Sequence, residues 1–218
     1  MAVFDRMIRS FALLCSFAVL ALAPLVPGQN QVSDEDHEIY RRSLLDLGYF
    51  EPGLPVLITN ETEPFSFSGG CAYSLGYFWS ESRTSKEDPS FRDSFTKIPE
   101  SGVKILPGLG DEFEYRLLDL SELEGLEVRG GWEAFHQKYP LISGIASFSG
   151  VAYNTQRDKA LLYVLFKKDR YWIDALYLIY SREPGGWELI ESVKVFHLRA
   201  DILPGKSGTK TYSQKVDK

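Results

Sequence analysis

The chain has 218 residues, of which 44% are hydrophobic and 25% are charged, and its formal net charge at pH 7 is −6. A chain of this length and apolar content can bury one substantial core. The acidic balance argues against nucleic acid as a partner, because binding to a phosphate backbone requires a surplus of Lys and Arg.

The N-terminal segment has the pattern of a secretory signal peptide. Arg6 and Arg9 precede an uninterrupted apolar run from Phe11 to Val26, and the small residue Gly28 fits a cleavage site. The run is shorter than the roughly 20 residues of a membrane-spanning helix. We therefore expect residues 1–28 to be removed and the mature protein to be secreted or periplasmic, without a stable membrane span. An uncleaved N-terminal anchor is the alternative.

A first helix is predicted to follow Ser33. Apolar side chains recur at spacings of three and four between Ile39 and Leu47. Ser33 is a suitable N-cap, acidic residues occupy the next three positions, and Gly48 is placed to end the helix. The acidic residues are therefore interpreted as stabilising the helix start and not as metal ligands.

Shorter elements are predicted in the middle of the chain. The β-branched stretch 55–59 favours a strand, and the spacing of apolar residues in 90–98 favours a short helix. The stretches 103–106 and 112–117 resemble strands. The aromatic, glycine-rich stretch 65–79 predicts an irregular or strand-containing layer rather than a helix.

The C-terminal third is predicted to begin with a helix from Trp132 that Pro140 stops. Four strand-like runs then follow one another between Gly144 and Leu198, separated by polar or Gly-rich turns. The second and third runs are apolar on both faces and are expected to be central strands. In the last run, alternation predicts one common face for the residues Trp187, Leu189, Val193 and Val195.

The predicted fold class is therefore α+β, with a curved antiparallel β-meander packed against helices. We expect a single domain at 29–203, made of an N-terminal helix and elaboration at 33–128 and a helix plus four-stranded meander at 130–198. The stretch 204–218 is rich in Lys and poor in apolar residues, which predicts a disordered basic tail.

No catalytic or metal-binding motif is present in the sequence. The G-x-S-x-G pattern of serine hydrolases is absent, and His37, His136 and His197 lack the spacing of a metal site. Cys71 would be alone in the mature chain and is interpreted as a buried hydrophobic residue. We therefore assign no catalytic residue, metal or cofactor.

A speculative ligand-binding site is predicted on the meander. Asp174 interrupts an otherwise apolar strand, and a buried carboxylate is unfavourable unless it is paired, so Asp174 either faces solvent or marks a site. Aromatic residues beside it could line a concave face. The predicted ligand-binding residues are Trp172, Asp174, Tyr177 and Glu191. Aromatic residues between Tyr73 and Trp79 form the other candidate surface.

The sequence pattern of the C-terminal third resembles that of known proteins. The residues that form this pattern are Trp132, Phe135, Lys138-Tyr139-Pro140, Gly144, Phe148-Ser149, Val151, Tyr153-Asn154, Ala160-Leu161, Tyr163-Val164, Gly186-Trp187 and Leu189-Ile190. With these residues the region resembles a family of exported bacterial proteins without assigned function. The Ala-Leu-x-Tyr and Gly-Trp-x-Leu-Ile segments are also similar to NTF2-like α+β sheets. Neither resemblance implies a catalytic residue, and the cysteine pair of some relatives is missing here.

These observations together favour a secreted or periplasmic, non-catalytic binding or envelope-associated module, whose partner is an unknown small ligand or an envelope protein. The alternative is a hydrolase that acts on a sugar or small molecule through carboxylates, such as Asp174 with Glu191, in an aromatic cleft. A third possibility is a protein that folds only with a partner.

Overall fold

The computed structural model describes residues 32–62, 71–98, 102–123, 125, 131–169 and 172–199. The predictions for the signal peptide at 1–28 and for the tail at 204–218 lie outside the described residues, as does the side chain of Cys71. No helix in the described ranges is long and apolar enough to cross a membrane.

The fold is α+β, with helices packed on both faces of one mixed sheet. The helices are α1 (Asp34–Leu47), α2 (Cys71–Glu81), α3 (Arg83–Glu87), α4 (Ser90–Phe95) and α5 (Trp132–Lys138). The strands are β1 (Val56–Thr59), β2 (Tyr115–Leu118), β3 (Gly144–Phe148), β4 (Ala152–Tyr153), β5 (Lys159–Asp169), β6 (Trp172–Glu183) and β7 (Gly186–Arg199).

The sheet has the strand order β2-β1-β3-β5-β6-β7, and β4 pairs with β5. Strand β1 runs parallel to both β2 and β3, whereas the remaining pairs are antiparallel. The sheet is therefore mixed, unlike the antiparallel sheet that we predicted. The two parallel pairings involve β1 and β2, which have only four residues each and lie in the region predicted to be an elaboration.

The described residues form three buried apolar clusters, of which the smallest joins Phe135 of α5 to β1, β2 and β3. The two larger clusters, called here the first and second cores, lie on opposite faces of the sheet and share its central strands. On one face, α1 packs through Ile39, Tyr40 and Leu44 on even-numbered residues of β5 and β6. On the other face, Phe78 of α2 and Phe95 of α4 pack on the odd-numbered residues. Because side chains alternate along a strand, β5 and β6 are apolar on both faces, as the sequence predicts for central strands.

The predicted ends of α1 are confirmed. The Ser33 hydroxyl accepts a hydrogen bond from the Asp36 N–H, and the Asp36 carboxylate accepts one from the Ser33 N–H, which makes a capping box. Gly48 ends the helix in the left-handed conformation, with φ of 61°. The short helix predicted at 90–98 is also confirmed, as α4.

Two of the predicted elements in the middle of the chain are wrong. The stretch predicted as an irregular or strand-containing layer instead contains helix α2, because Phe78 and its neighbours are stabilised by packing on the sheet and not by local preference. Within 103–106, Lys104 makes only an isolated bridge with Glu61. The strand predicted at 112–117 is observed slightly later, as β2.

The single face predicted for the last strand is also wrong. Trp187 and Leu189 pack with the first core, whereas Val193 and Val195 pack against the second. The cause is a β-bulge at Ile190, where β7 has one residue more than β6. A bulge shifts the register by one residue, so the side chains beyond it point to the other face.

Candidate functional site

Asp174 is a carboxylate in the interior of β6. It lies directly opposite Phe166 of β5 and His197 of β7, on the sheet face that α1 covers. Its side chain is only 3% exposed. An ionised carboxylate at such a position is stable only when neighbouring groups donate hydrogen bonds or carry positive charge.

Four side chains supply these interactions. The Tyr49 hydroxyl donates to Asp174 Oδ2 at 2.8 Å, and Trp172 Nε1 donates to the same oxygen at 3.3 Å. Lys194 Nζ lies 3.4 Å from Oδ2, and His197 Nδ1 is in hydrogen-bond contact with Oδ1. We refer to these five residues as the Asp174 cluster.

A second β-bulge in β7 brings two members of the cluster to one face. Lys194 lies opposite Leu176, and His197 lies opposite Asp174, so Val195 is an extra residue between them. In a regular strand, residues three apart point to opposite faces. The bulge at Val195 therefore allows both Lys194 and His197 to reach the carboxylate, and bulges commonly re-aim side chains in this way.

Aromatic packing holds the rest of the cluster in place. The ring of Tyr49, which lies just after α1, stacks on Phe166 with 4.5 Å between the ring centroids. Lys168 Nζ lies 4.9 Å from the centroid of the Trp172 ring, a cation–π contact. The cluster therefore joins the end of α1 to one end of β5, β6 and β7.

The surroundings keep Asp174 ionised. Burial alone would raise its pKa, but the hydrogen bonds from His197 and Tyr49 and the nearby Lys194 ammonium outweigh this effect and hold the pKa below its ordinary value. Burial raises the pKa of Tyr49, and its hydrogen bond to Asp174 raises it further. Tyr49 therefore remains a neutral donor at physiological pH.

The cluster has a buried centre and a partly exposed rim. The side chain of Lys194 is 45% exposed and that of His197 is 36% exposed. Solvent or a ligand can thus meet an ammonium group and an imidazole whose positions are fixed from behind by Asp174. Such a rim can donate hydrogen bonds to a ligand.

The four predicted ligand-binding residues are not brought together. Trp172 and Asp174 contact each other, but Tyr177 is fully buried in the second core, where its ring stacks on Phe78 at 4.5 Å. Glu191 also faces that side, because it lies opposite Ile179 of the second core. The structure thus divides the four predicted residues between the two faces of the sheet.

Glu191 has a structural role at the start of α3. Its two carboxylate oxygens accept the backbone N–H groups of Arg83 and Thr84, each at 2.9 Å. Burial would raise the pKa of Glu191, but the hydrogen bonds from Thr84 and Arg83 outweigh it and lower the pKa below its ordinary value. The carboxylate therefore satisfies donors that a helix leaves unpaired at its start.

Sequence reasoning missed Tyr49, Lys194 and His197. Tyr49 is far from Asp174 in sequence, and an alternating pattern places Lys194 and His197 on opposite faces. The available signal was the carboxylate itself: a charge in a central strand requires partners on the neighbouring strand, and His197 lies within that strand.

A groove of about 720 Å³ lies elsewhere on the described surface, between α1 and the loop 108–112. Asp34, His37, Glu38 and Arg41 line it from the helix side. Arg41 is paired with Glu112 at 2.6 Å, so part of the charge in this groove is already neutralised. No group of three or more His, Cys, Asp or Glu side chains among the described residues is arranged to hold a metal ion.

Comparison of the chain with protein-family models, with curated proteins and with solved structures found no match.

Proposed function

We propose that this protein is a secreted or periplasmic, non-catalytic binding module that takes a small ligand at the Asp174 cluster. The observation that carries the proposal is the buried Asp174 carboxylate, which holds the partly exposed Lys194 and His197 in fixed positions at the end of the sheet. Fixed polar groups beside an aromatic side chain are typical of sites that orient a small molecule.

The positions of the two predicted carboxylates support binding over hydrolysis. A pair of catalytic carboxylates must flank the same substrate bond. Asp174 and Glu191 instead lie toward opposite faces of the sheet, and each already accepts hydrogen bonds from nearby protein groups.

The proposal also includes export of the protein, its membership of a family and the curved, meander-like form of its sheet. The N-terminal pattern supports a signal peptide at 1–28, and the Trp132–Phe196 pattern supports membership of a family of exported bacterial proteins. The antiparallel run of β5, β6 and β7 is compatible with a curved, NTF2-like meander. An envelope protein in place of a small ligand is the alternative partner.

The experiment is a thermal-shift panel on the purified protein, with monosaccharides, amino acids, cell-wall fragments and divalent metal ions as probes. A ligand that binds only the folded state stabilises it by about 2.7 kcal/mol at a hundredfold excess over Kd. We expect at least one probe to raise the Tm of the wild type, and we expect His197→Gln and Lys194→Gln to reduce that shift.

Glu191→Gln is the matched control, because it changes a predicted site residue on the opposite face. It should leave the ligand-induced shift intact. The proposal would be contradicted by a panel that produces no shift while unfolding remains cooperative. A shift that depends on Glu191 and not on His197 or Lys194 would contradict it equally.

The rival proposal is a hydrolase, and one observation favours it. The contact between the Asp174 carboxylate and His197 Nδ1 resembles the pairing that orients a histidine general base. Incubation with p-nitrophenyl glycosides and esters tests this function. Nitrophenolate release that is lost in both Asp174→Asn and His197→Gln would support the hydrolase, whereas ligands recovered unchanged would support binding.

A further inference from the structure

Strand β7 forms one end of the described sheet. It has 14 residues, and β6 is its one neighbour among the described strands. Helices cover both faces of the sheet at β5 and β6. The other end is β2, which has only four residues. β7 is therefore the longer of the two described edges at which the sheet can be extended, since edge strands present unpaired backbone N–H and C=O groups.

Two large apolar side chains on β7 are exposed. Ile190 is 46% exposed and Phe196 is 49% exposed, whereas Trp187, Leu189, Val193 and Val195 of the same strand pack with the cores. Isolated exposed apolar residues are ordinary on a protein surface. Ile190 and Phe196 lie on the same edge strand, six residues apart, so antiparallel pairing with a second copy about their midpoint, Val193, places each opposite the other.

We propose that β7 pairs antiparallel with β7 of a second copy of this chain, across a twofold axis at Val193. In this register Ile190 of each copy lies opposite Phe196 of the other, so the apolar contact is made twice. Apolar cross-strand pairs of this kind stabilise an antiparallel ladder. The proposal is independent of any ligand at the Asp174 cluster.

The charged residues of β7 favour this register over its neighbours. An axis at Val193 places Lys194 opposite Ser192 and Glu191 opposite Val195. An axis at Glu191 or at Lys194 would place that charge directly opposite its own copy, and like charges in this position destabilise pairing. An axis at Ser192 would place Ile190 opposite Lys194. The register at Val193 is thus the one that both joins the apolar residues and separates like charges.

The dimer should be weak and depend on concentration. The two bulges of β7 interrupt the regular ladder, so few residues pair without distortion. A single pair of edge strands also buries less surface than a stable dimer of about 1,200–2,000 Å². We therefore expect reversible association, with monomer at low and dimer at high protein concentration.

The test is sedimentation velocity of the purified protein over a series of concentrations, with two double variants. In Ile190→Lys with Phe196→Lys, the proposed register brings lysine opposite lysine. In Ile190→Lys with Phe196→Glu, the same register brings lysine opposite glutamate, twice per dimer. Both variants change the same two exposed positions, so any effect on folding should be similar, and far-UV circular dichroism checks it.

We expect the wild type to dimerise and the Lys/Lys variant to raise the apparent Kd by about tenfold or more, since two favourable pairs become repulsive. The Lys/Glu variant should recover most of the association. Leu141→Lys, at a residue 70% exposed outside β7, should dimerise like the wild type. A wild type that stays monomeric throughout the series would overturn the proposal, including the case in which another segment of the chain covers β7. Equal masses for the two double variants would overturn it too.

Discussion

Asp174 carries the most consequential interactions at the scale of single residues. Replacing it with Asn keeps the size of the side chain but removes the charge that Lys194 and His197 contact. Hydrogen bonds to charged groups contribute roughly 1.5–3 kcal/mol each, so we expect Asp174→Asn to lower the free energy of unfolding at pH 7 by on the order of 2 kcal/mol. Urea unfolding measures this difference.

The stability difference between the wild type and Asp174→Asn should depend on pH. Because the folded protein holds the pKa of Asp174 below its ordinary value of 3.8, ionised Asp174 stabilises the fold above that value, and the stabilisation is lost as the pH falls through the lower folded pKa. The difference in the free energy of unfolding between the wild type and Asp174→Asn should therefore become smaller as the pH falls through this acid range. Asp111→Asn, at an exposed position, is the control. A difference that does not change with pH would mean that Asp174 is not ionised in the folded protein.

At the scale of elements, two glycines in open space predict opposite effects of a methyl group. Gly48 ends α1 with φ of 61°, and Gly76 lies inside α2 with a φ that is not positive. Apart from the adjoining backbone of its own segment, an added Cβ at either glycine has no atom within 4 Å. Gly48→Ala should cost about 1–2 kcal/mol, because left-handed backbone is strained for alanine. Gly76→Ala should stabilise by about 0.5–1 kcal/mol through helix propensity. Thermal unfolding measures the change in Tm of each variant. A change of the same sign in both variants would contradict the explanation from backbone conformation.

The elements also show where sequence reasoning succeeds and where it stops. Helix α1 was predictable because Ser33 and Gly48 act locally, through capping and a left-handed turn. Helix α2 was not, since Phe78 gains its stability from strands distant in sequence. The bulges at Ile190 and Val195 were not predicted either. The alternation of β7 breaks at the adjacent apolar pairs Leu189-Ile190 and Val195-Phe196, but only pairing with β6 shows that a residue is extra at each break. The same holds for the site. Asp174 could be identified from the sequence because it is a charged residue in an apolar strand, whereas the position of His197 beside it depends on the bulge at Val195.

At the scale of the whole molecule, the two cores share the central strands and should therefore unfold together. Tyr177 belongs to the core beneath α2 and α4, where it is fully buried, and its strand also carries Leu176 and Leu178 into the core beneath α1. Removing a large buried aromatic ring costs about 3–5 kcal/mol, so Tyr177→Ala should destabilise the protein by that amount. Because one strand supports both faces, amide hydrogen exchange should then quicken in α1 as much as in α2, although α1 lies on the opposite face. Faster exchange confined to α2 and its neighbours would show instead that the two faces are separate cooperative units, and that the Asp174 cluster on the α1 face keeps its geometry when the other core is weakened.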